Sequence, residues 1–280
     1  MIIDRRKFLA GTTGAATLAL FTNNSSVQAA QADKIGLQLY TVREIFASDP
    51  VGTLQKVAKV GYREVEFGGG NYEAMDHAML RRTMDSLSLT CPSLHVPYPS
   101  LMEKFAASVK MVKTLGAQIV IMPWLSEDLR TEAAWEQVLP NLKRLSAQLR
   151  NEGLGLAYHN HDFEFLNRSQ GVSLYDRLLR ETDASELKFE LDLYWAAHAG
   201  EDLKALIGRL GSRLYAFHVK DMKADKSMAA VGTGRIDFAS LFRLPGAQGV
   251  HHFYVENDQA PAPYIPDITT SFQNLRALRF

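Results

Sequence analysis

The stretch YHNHDFEF, residues 158–165, follows the apolar run LGLA and crowds two histidines, two acids and three aromatics into one strand end. A histidine kept only for packing needs no second histidine two residues on, nor carboxylates at Asp162 and Glu164. Whether this end is a local oddity or one member of a set decides the fold, because only some architectures gather strand ends in one place.

Strand-like runs recur on both sides of it. IGLQLY (35–40), REVEF (63–67), CPSLH (91–95) and QIVIM (118–122) precede LGLAYH (154–159), and LKFELD (187–192), LYAFHV (214–219) and HHFYVE (251–256) follow. Helix-like segments lie between. LMEKFAASVKMVKTLG keeps Phe105, Val109, Val112 and Leu115 roughly on one face and closes at Gly116. AAWEQVLPNLKRLSAQLRNEG spaces Leu142, Leu145 and Leu149 helically, with Pro140 expected to kink it or mark a boundary. Gly61, Gly116 and Gly153 fall where a helix gives way to a strand, as left-handed caps do. Eight strands alternating with helices predict a single (β/α)8 TIM barrel over residues 33–280. A doubly wound sheet would more often carry a glycine-rich nucleotide turn after its first strand, and LQLYTVRE has none. Gly68-Gly69-Gly70 lacks the lysine–serine ending of a phosphate loop and reads as a flexible loop.

A barrel collects chemistry at the C-terminal ends of its strands. The fifth strand ends in His159 and His161, and the sixth in Glu190 and Asp192. The seventh ends in His218, Lys220 and Asp221, and the eighth in Glu256, Asn257 and Asp258. One such residue alone is more often a cap or a surface group. Four successive strands ending in metal-competent groups form a set, and alternate residues of a strand share a face, so His159 and His161 point the same way.

The segments GLQLYTVR, YHNHDFEF, ELDLYW, FHVKD and VGTGRIDF, in that order, resemble the xylose-isomerase-like sugar isomerase/epimerase superfamily over nearly the whole chain after residue 33. The resemblance implies a (β/α)8 barrel with one divalent metal ion: manganese first, with magnesium, cobalt or zinc as alternatives. It implies ligands Glu, Asp, His and Glu at the ends of strands five to eight, the last three matching Asp192, His218 and Glu256. The first ligand position falls on His159, which resembles the inosose dehydratase branch rather than the ketose epimerases; Glu164 and His161 compete for the same role. Epimerases of the superfamily use two metal-bound glutamates, one on each face of the substrate.

Mixed imidazole and carboxylate donors suit a borderline cation such as manganese or zinc better than calcium. Such an ion polarises a sugar carbonyl, and a base beside the α-carbon then removes its proton. Glu256 and Glu164 are the carboxylate candidates, His161 the imidazole alternative, and Lys220 can hold a developing oxyanion. Gln38, Tyr40, Arg43, Glu66 and His95 leave the first three strands and are candidates to contact substrate, with Trp195 and Arg235 farther on. His251 and His252 begin the eighth strand, at the opposite barrel end, and read as structural. The expected activity is metal-dependent isomerisation or epimerisation of a small-molecule carbohydrate. Elimination from a carbon–oxygen bond, as a dehydratase or a 3-keto-glycoside-cleaving enzyme, is the rival, and a non-catalytic carbohydrate-binding barrel is the third reading.

The 280 residues are 46% hydrophobic and carry 31 basic against 31 acidic side chains, a balance that gives no reason to expect nucleic acid or an anionic membrane as partner. Cys91 is the only cysteine, which excludes an intrachain disulfide. Ahead of the barrel, DRRKFLAGTTGAATLALF sets Arg5-Arg6 before a short apolar run and VQAAQAD supplies small residues for cleavage. Residues 1–32 therefore resemble a twin-arginine export signal, cut after Ala29 or Ala32, which implies a periplasmic protein without stable membrane association afterwards.

Overall fold

A computed structural model describes residue 32, residues 34–169 and residues 171–280. The twin-arginine segment lies outside them, apart from Ala32. Each of the eight expected strand runs forms a strand: β1 (Ile35–Gln38), β2 (Glu64–Glu66), β3 (Ser93–His95), β4 (Ile119–Met122), β5 (Gly155–His159), β6 (Lys188–Asp192), β7 (Leu214–Val219) and β8 (His252–Val255). All are parallel, and β1 lies between β2 and β8. Isolated parallel bridges from Glu64 to Thr90 and from Phe67 to Leu94 join β2 to the β3 side, so the sheet curls into a TIM barrel. A doubly wound sheet would have stayed open.

Burial explains why the strands read as apolar runs: both faces are covered, one by the helices and one by the barrel interior. One core cluster joins the strand residues Val65, Val120, Phe189 and Phe217 to Trp135, Leu142 and Leu206 of the helices. Asp49, Asp76, Asp202 and Asp237 each accept a backbone N–H at a helix start, supplying the partners that free amides there lack. Among the described residues no helix is long and apolar enough to cross a membrane.

Three local expectations need correction. Pro140 neither ends nor divides its helix, which runs unbroken over Glu132–Asn151 with the proline on the exposed side. The segment 101–116 is split between helices Tyr98–Glu103 and Phe105–Leu115, separated at Lys104. The triple glycine is not a free loop but a close-packed one. A Cβ at Gly68 would stand 2.7 Å from Gln38 Oε1, and one at Gly69, whose φ is +69°, would stand 2.6 Å from Tyr40 Cδ2.

Candidate active site

The opening motif works by alternation. Asn160 grips the neighbouring strand through the backbone of Asp192, its Oδ1 accepting the N–H at 3.0 Å and its Nδ2 donating to the carbonyl at 3.2 Å. Tyr158 donates to Glu164 Oε1 at 2.8 Å, and Glu164 Oε2 accepts the backbone N–H of His161 at 2.8 Å. These ties hold His159 and His161 at the barrel mouth, their ring centroids 5.0 Å apart. Strand register does the rest: His159 lies level with Glu190, and Asp192 with His218. Asp192 also caps helix Leu193–His198 by accepting Trp195 N–H on Oδ1 at 2.8 Å, which fixes its carboxylate and leaves Oδ2 for the barrel centre.

At that centre His218 stands between two groups of donors. Its Nδ1 is 2.7 Å from Glu256, and its Nε2 is 2.8 Å from Glu66 and 3.0 Å from Glu190. Glu190 Oε2 also receives His95 Nε2 at 2.8 Å and His159 Nδ1 at 3.0 Å. Lys220 is buried, 1% exposed, among three carboxylates: Asp192 at 3.1 Å, Glu256 at 2.7 Å and Asp258 at 2.9 Å. Burial lowers the affinity of His95 for a proton, but the Glu66 and Glu190 carboxylates outweigh it and raise its pKa to about 9. Burial pushes the Asp192 carboxyl up to about 6, the opposing charges of Lys220 and His218 notwithstanding. His161 is pushed down, by burial first and by Lys220 next, and stays neutral.

A cavity of about 580 Å³ opens over this cluster, lined at depth by His95, His161, Glu256 and Asp258 and higher up by Tyr40, Trp124 and Trp195. Five of the sequence candidates thus meet at one opening. Glu164, Gln38 and Arg235 belong neither to this lining nor to the metal-competent donor sets found beneath it among the described residues. Glu164 is buried beneath the motif, one oxygen accepting from Tyr158 and the other from the His161 backbone. Gln38 is fully buried and donates to Glu66 Oε2 at 2.9 Å, holding that carboxylate in place of a substrate. Arg235 is exposed and borders a separate cleft beside Asp202 and Lys204. The glycines around it have another purpose: Asp221 gathers the N–H groups of Met222, Gly232, Gly234 and Ile236, and a Cβ at Gly234 would collide with it.

The family model described as a xylose isomerase-like TIM barrel matches residues 54–261. The chain belongs to that family. The inosose dehydratase of Clostridium beijerinckii is 20% identical over 249 residues, 75% of this chain and 82% of that protein. A sugar phosphate isomerase/epimerase structure from Parabacteroides distasonis superposes with a TM-score of 0.74 at 23% identity, covering 89% of this chain and 95% of that one. A probable 3-DHS dehydratase from Bacillus anthracis, involved in petrobactin synthesis, superposes with a TM-score of 0.68 at 13% identity, covering 86% and 98%. These superpositions show the fold alone.

The family implies a divalent cation, and the residues present fit one. Two sets of donor atoms each lie within 4.8 Å of one another: His95, His159, Glu190 and His218, and Asp192, His218 and Glu256. Glu190 Oε1 is buried without a hydrogen-bond partner, and Asp192 Oδ2 lacks one although Lys220 lies near it. Buried carboxylate oxygens that no hydrogen-bond donor fully satisfies are what a cation would take up. His159 joins the first set, with Asp192 Oδ2 3.7 Å from its Nε2. His95, read as a substrate contact, lies within the donor cluster, and Glu66 stands against its imidazoles. The resemblance points to Asp192 rather than Glu190 as the ligand from this strand, though the period of two in ELD puts both on one face. What leaves no mark in the sequence is the company Glu190 keeps: its Oε2 meets His95, His159 and His218, donated by three different strands.

Proposed function

We propose that the protein is a divalent-metal-dependent carbon–oxygen lyase acting on a cyclic ketone of the polyol or sugar class, such as an inosose or a 3-keto-glycoside. His159, Asp192, His218 and Glu256 would hold the cation, with Glu190 and His95 beside them. When bound, it supplies polarisation of the substrate carbonyl. His161 takes the proton from the carbon next to that carbonyl. The oxygen substituent on the following carbon departs with the bonding pair and receives the same proton from His161. One C–H and one C–O bond break, one C=C bond forms, and water or an alcohol leaves. Lys220 holds Asp192, Glu256 and Asp258 in place and opposes the burial that pushes the carboxyls of Asp192 and Asp258 up.

The single observation behind this reading is that His161, its buried Nδ1 unpartnered, shares the cavity with a Glu256 already bound to His218 and Lys220. An elimination needs one carrier that takes a proton and returns it to the leaving oxygen; inversion of a carbon needs a carrier on each face. The dehydratase names of the curated relatives agree with it. Isomerisation or epimerisation is the second reading, supported by the presence of a carboxylate, Glu256, in the same cavity.

Proton NMR in heavy water, with manganese-loaded protein and a panel of inososes, ketohexoses and 3-keto-glycosides, separates these. An enone with released water or aglycone supports the lyase. Deuterium at the α-carbon with the skeleton intact supports the isomerase and overturns the lyase. Silence across the panel leaves a binding barrel. We also propose that residues 1–32 export the folded barrel to the periplasm, on the strength of Arg5-Arg6. Replacing both with lysine would then trap the protein in the cytoplasm, as read by fractionation, and normal export of that variant would refute the route.

A further inference from the structure

The cavity, about 580 Å³, runs outward from the donor cluster to an aromatic rim. What lines the outer part is unusual for this molecule. Three large hydrophobic side chains are exposed among the described residues, and two of them, Tyr40 at 39% and Trp124 at 47%, stand on this rim.

Neither ring is loose. The Arg43 guanidinium lies 4.2 Å from the Tyr40 ring centroid and donates to the Tyr40 carbonyl at 2.9 Å. Arg130 lies 4.7 Å from the Trp124 ring, packs on Phe163 at 3.9 Å and donates to the Leu125 carbonyl at 2.8 Å. Gly69 leaves room for Tyr40 to lie on the loop, since a side chain there would overlap its ring. The two aromatics follow β1 and β4, three strands apart around the barrel, so they approach the cavity from different sides. An exposed aromatic pair on the cavity rim, each ring steadied by an arginine stacked against it, offers apolar surface on which a second ring can pack.

From these observations we infer that the rim is a second-ring subsite: Tyr40 and Trp124 hold the ring of a glycosidically linked leaving group while the keto ring occupies the depth beside His161. The inference rests on the elimination reading for the chemistry of that leaving group, and it narrows the substrate from free cyclic ketones to ring-bearing keto-glycosides.

The test measures affinity and requires no turnover. Tryptophan fluorescence and calorimetry on the metal-loaded protein would compare myo-inositol and glucose with cellobiose, maltose and the phenyl α- and β-glucosides. At least one two-ring ligand should bind roughly tenfold tighter than its one-ring counterpart. Trp124→Ala and Tyr40→Phe/Ala variants, checked for native circular dichroism, should shrink that ratio, with Trp124→Ala the stronger. Equal affinity for all one- and two-ring ligands, or an unchanged ratio in both alanine variants, overturns the subsite. Failure of the NMR panel to show elimination overturns the lyase reading instead, and leaves the affinity ratio to decide the subsite.

Discussion

The barrel has a histidine–glutamate pair at each end. At the mouth His218 Nδ1 meets Glu256 at 2.7 Å, and at the opposite end His252 Nδ1 meets Glu64 at 2.9 Å. The residue types and the contact are nearly the same, yet the surroundings differ. His218 is fully buried and touches two further carboxylates, with Lys220 and two more imidazoles close by. His252 is part-exposed, stacks on Tyr215 and Tyr254, and belongs to neither set of metal-competent donors found among the described residues. A single pair satisfies itself. A surplus of buried carboxylates over cations cannot, and it calls for an ion or a ligand.

The comparison is broken most directly at Asp192. Asp192→Asn keeps the helix cap but removes the charge, so bound metal, read by elemental analysis, should vanish and activity should fall at least about 10³-fold. Glu190→Gln, which changes the unpartnered oxygen's carboxylate, should weaken metal affinity by about 10–100-fold. Retention of full metal occupancy in both variants would make the mouth no different from the far end.

A middle-sized effect is expected at Glu164, the carboxylate that positions His161 without entering the cavity. Burial raises its pKa to about 8. The folded state therefore holds a proton that the unfolded chain releases near the ordinary carboxyl value, so this group favours folding at low pH. Its contribution declines as pH rises from about 4.5 to about 8. Glu164→Gln should flatten that decline in thermal stability and lower kcat about tenfold, with KM nearly unchanged. A variant whose stability falls across this window as steeply as the parent's would show that Glu164 is not the group responsible.

The smallest effect on catalysis belongs to the far end. His252→Ala should cost about 1–3 kcal/mol of stability, because it strands the buried Glu64 carboxylate. Metal content and kcat should not move; a loss of either would tie the two ends of the barrel together.

The eight strands and the barrel were legible in the sequence because burial on both faces writes each strand as a short apolar run, and parallel strands require a helical crossover between them. The clustering of His159, Asp192, His218 and Glu256 was legible for a related reason: a strand's period of two and the shared polarity of the β/α units carry four distant ends to one mouth. Only the tertiary structure decided who meets whom across the barrel. His95 and Glu66 reach His218 from strands far away in the chain, through closure between β2 and β3. Glu190 meets imidazoles from β3, β5 and β7, and Glu164 turns under the motif to hold His161 while Arg235 stays outside. Contacts across a closed barrel follow from the stagger and tilt of its strands, which depend on the whole ring of pairings and are encoded in no single segment.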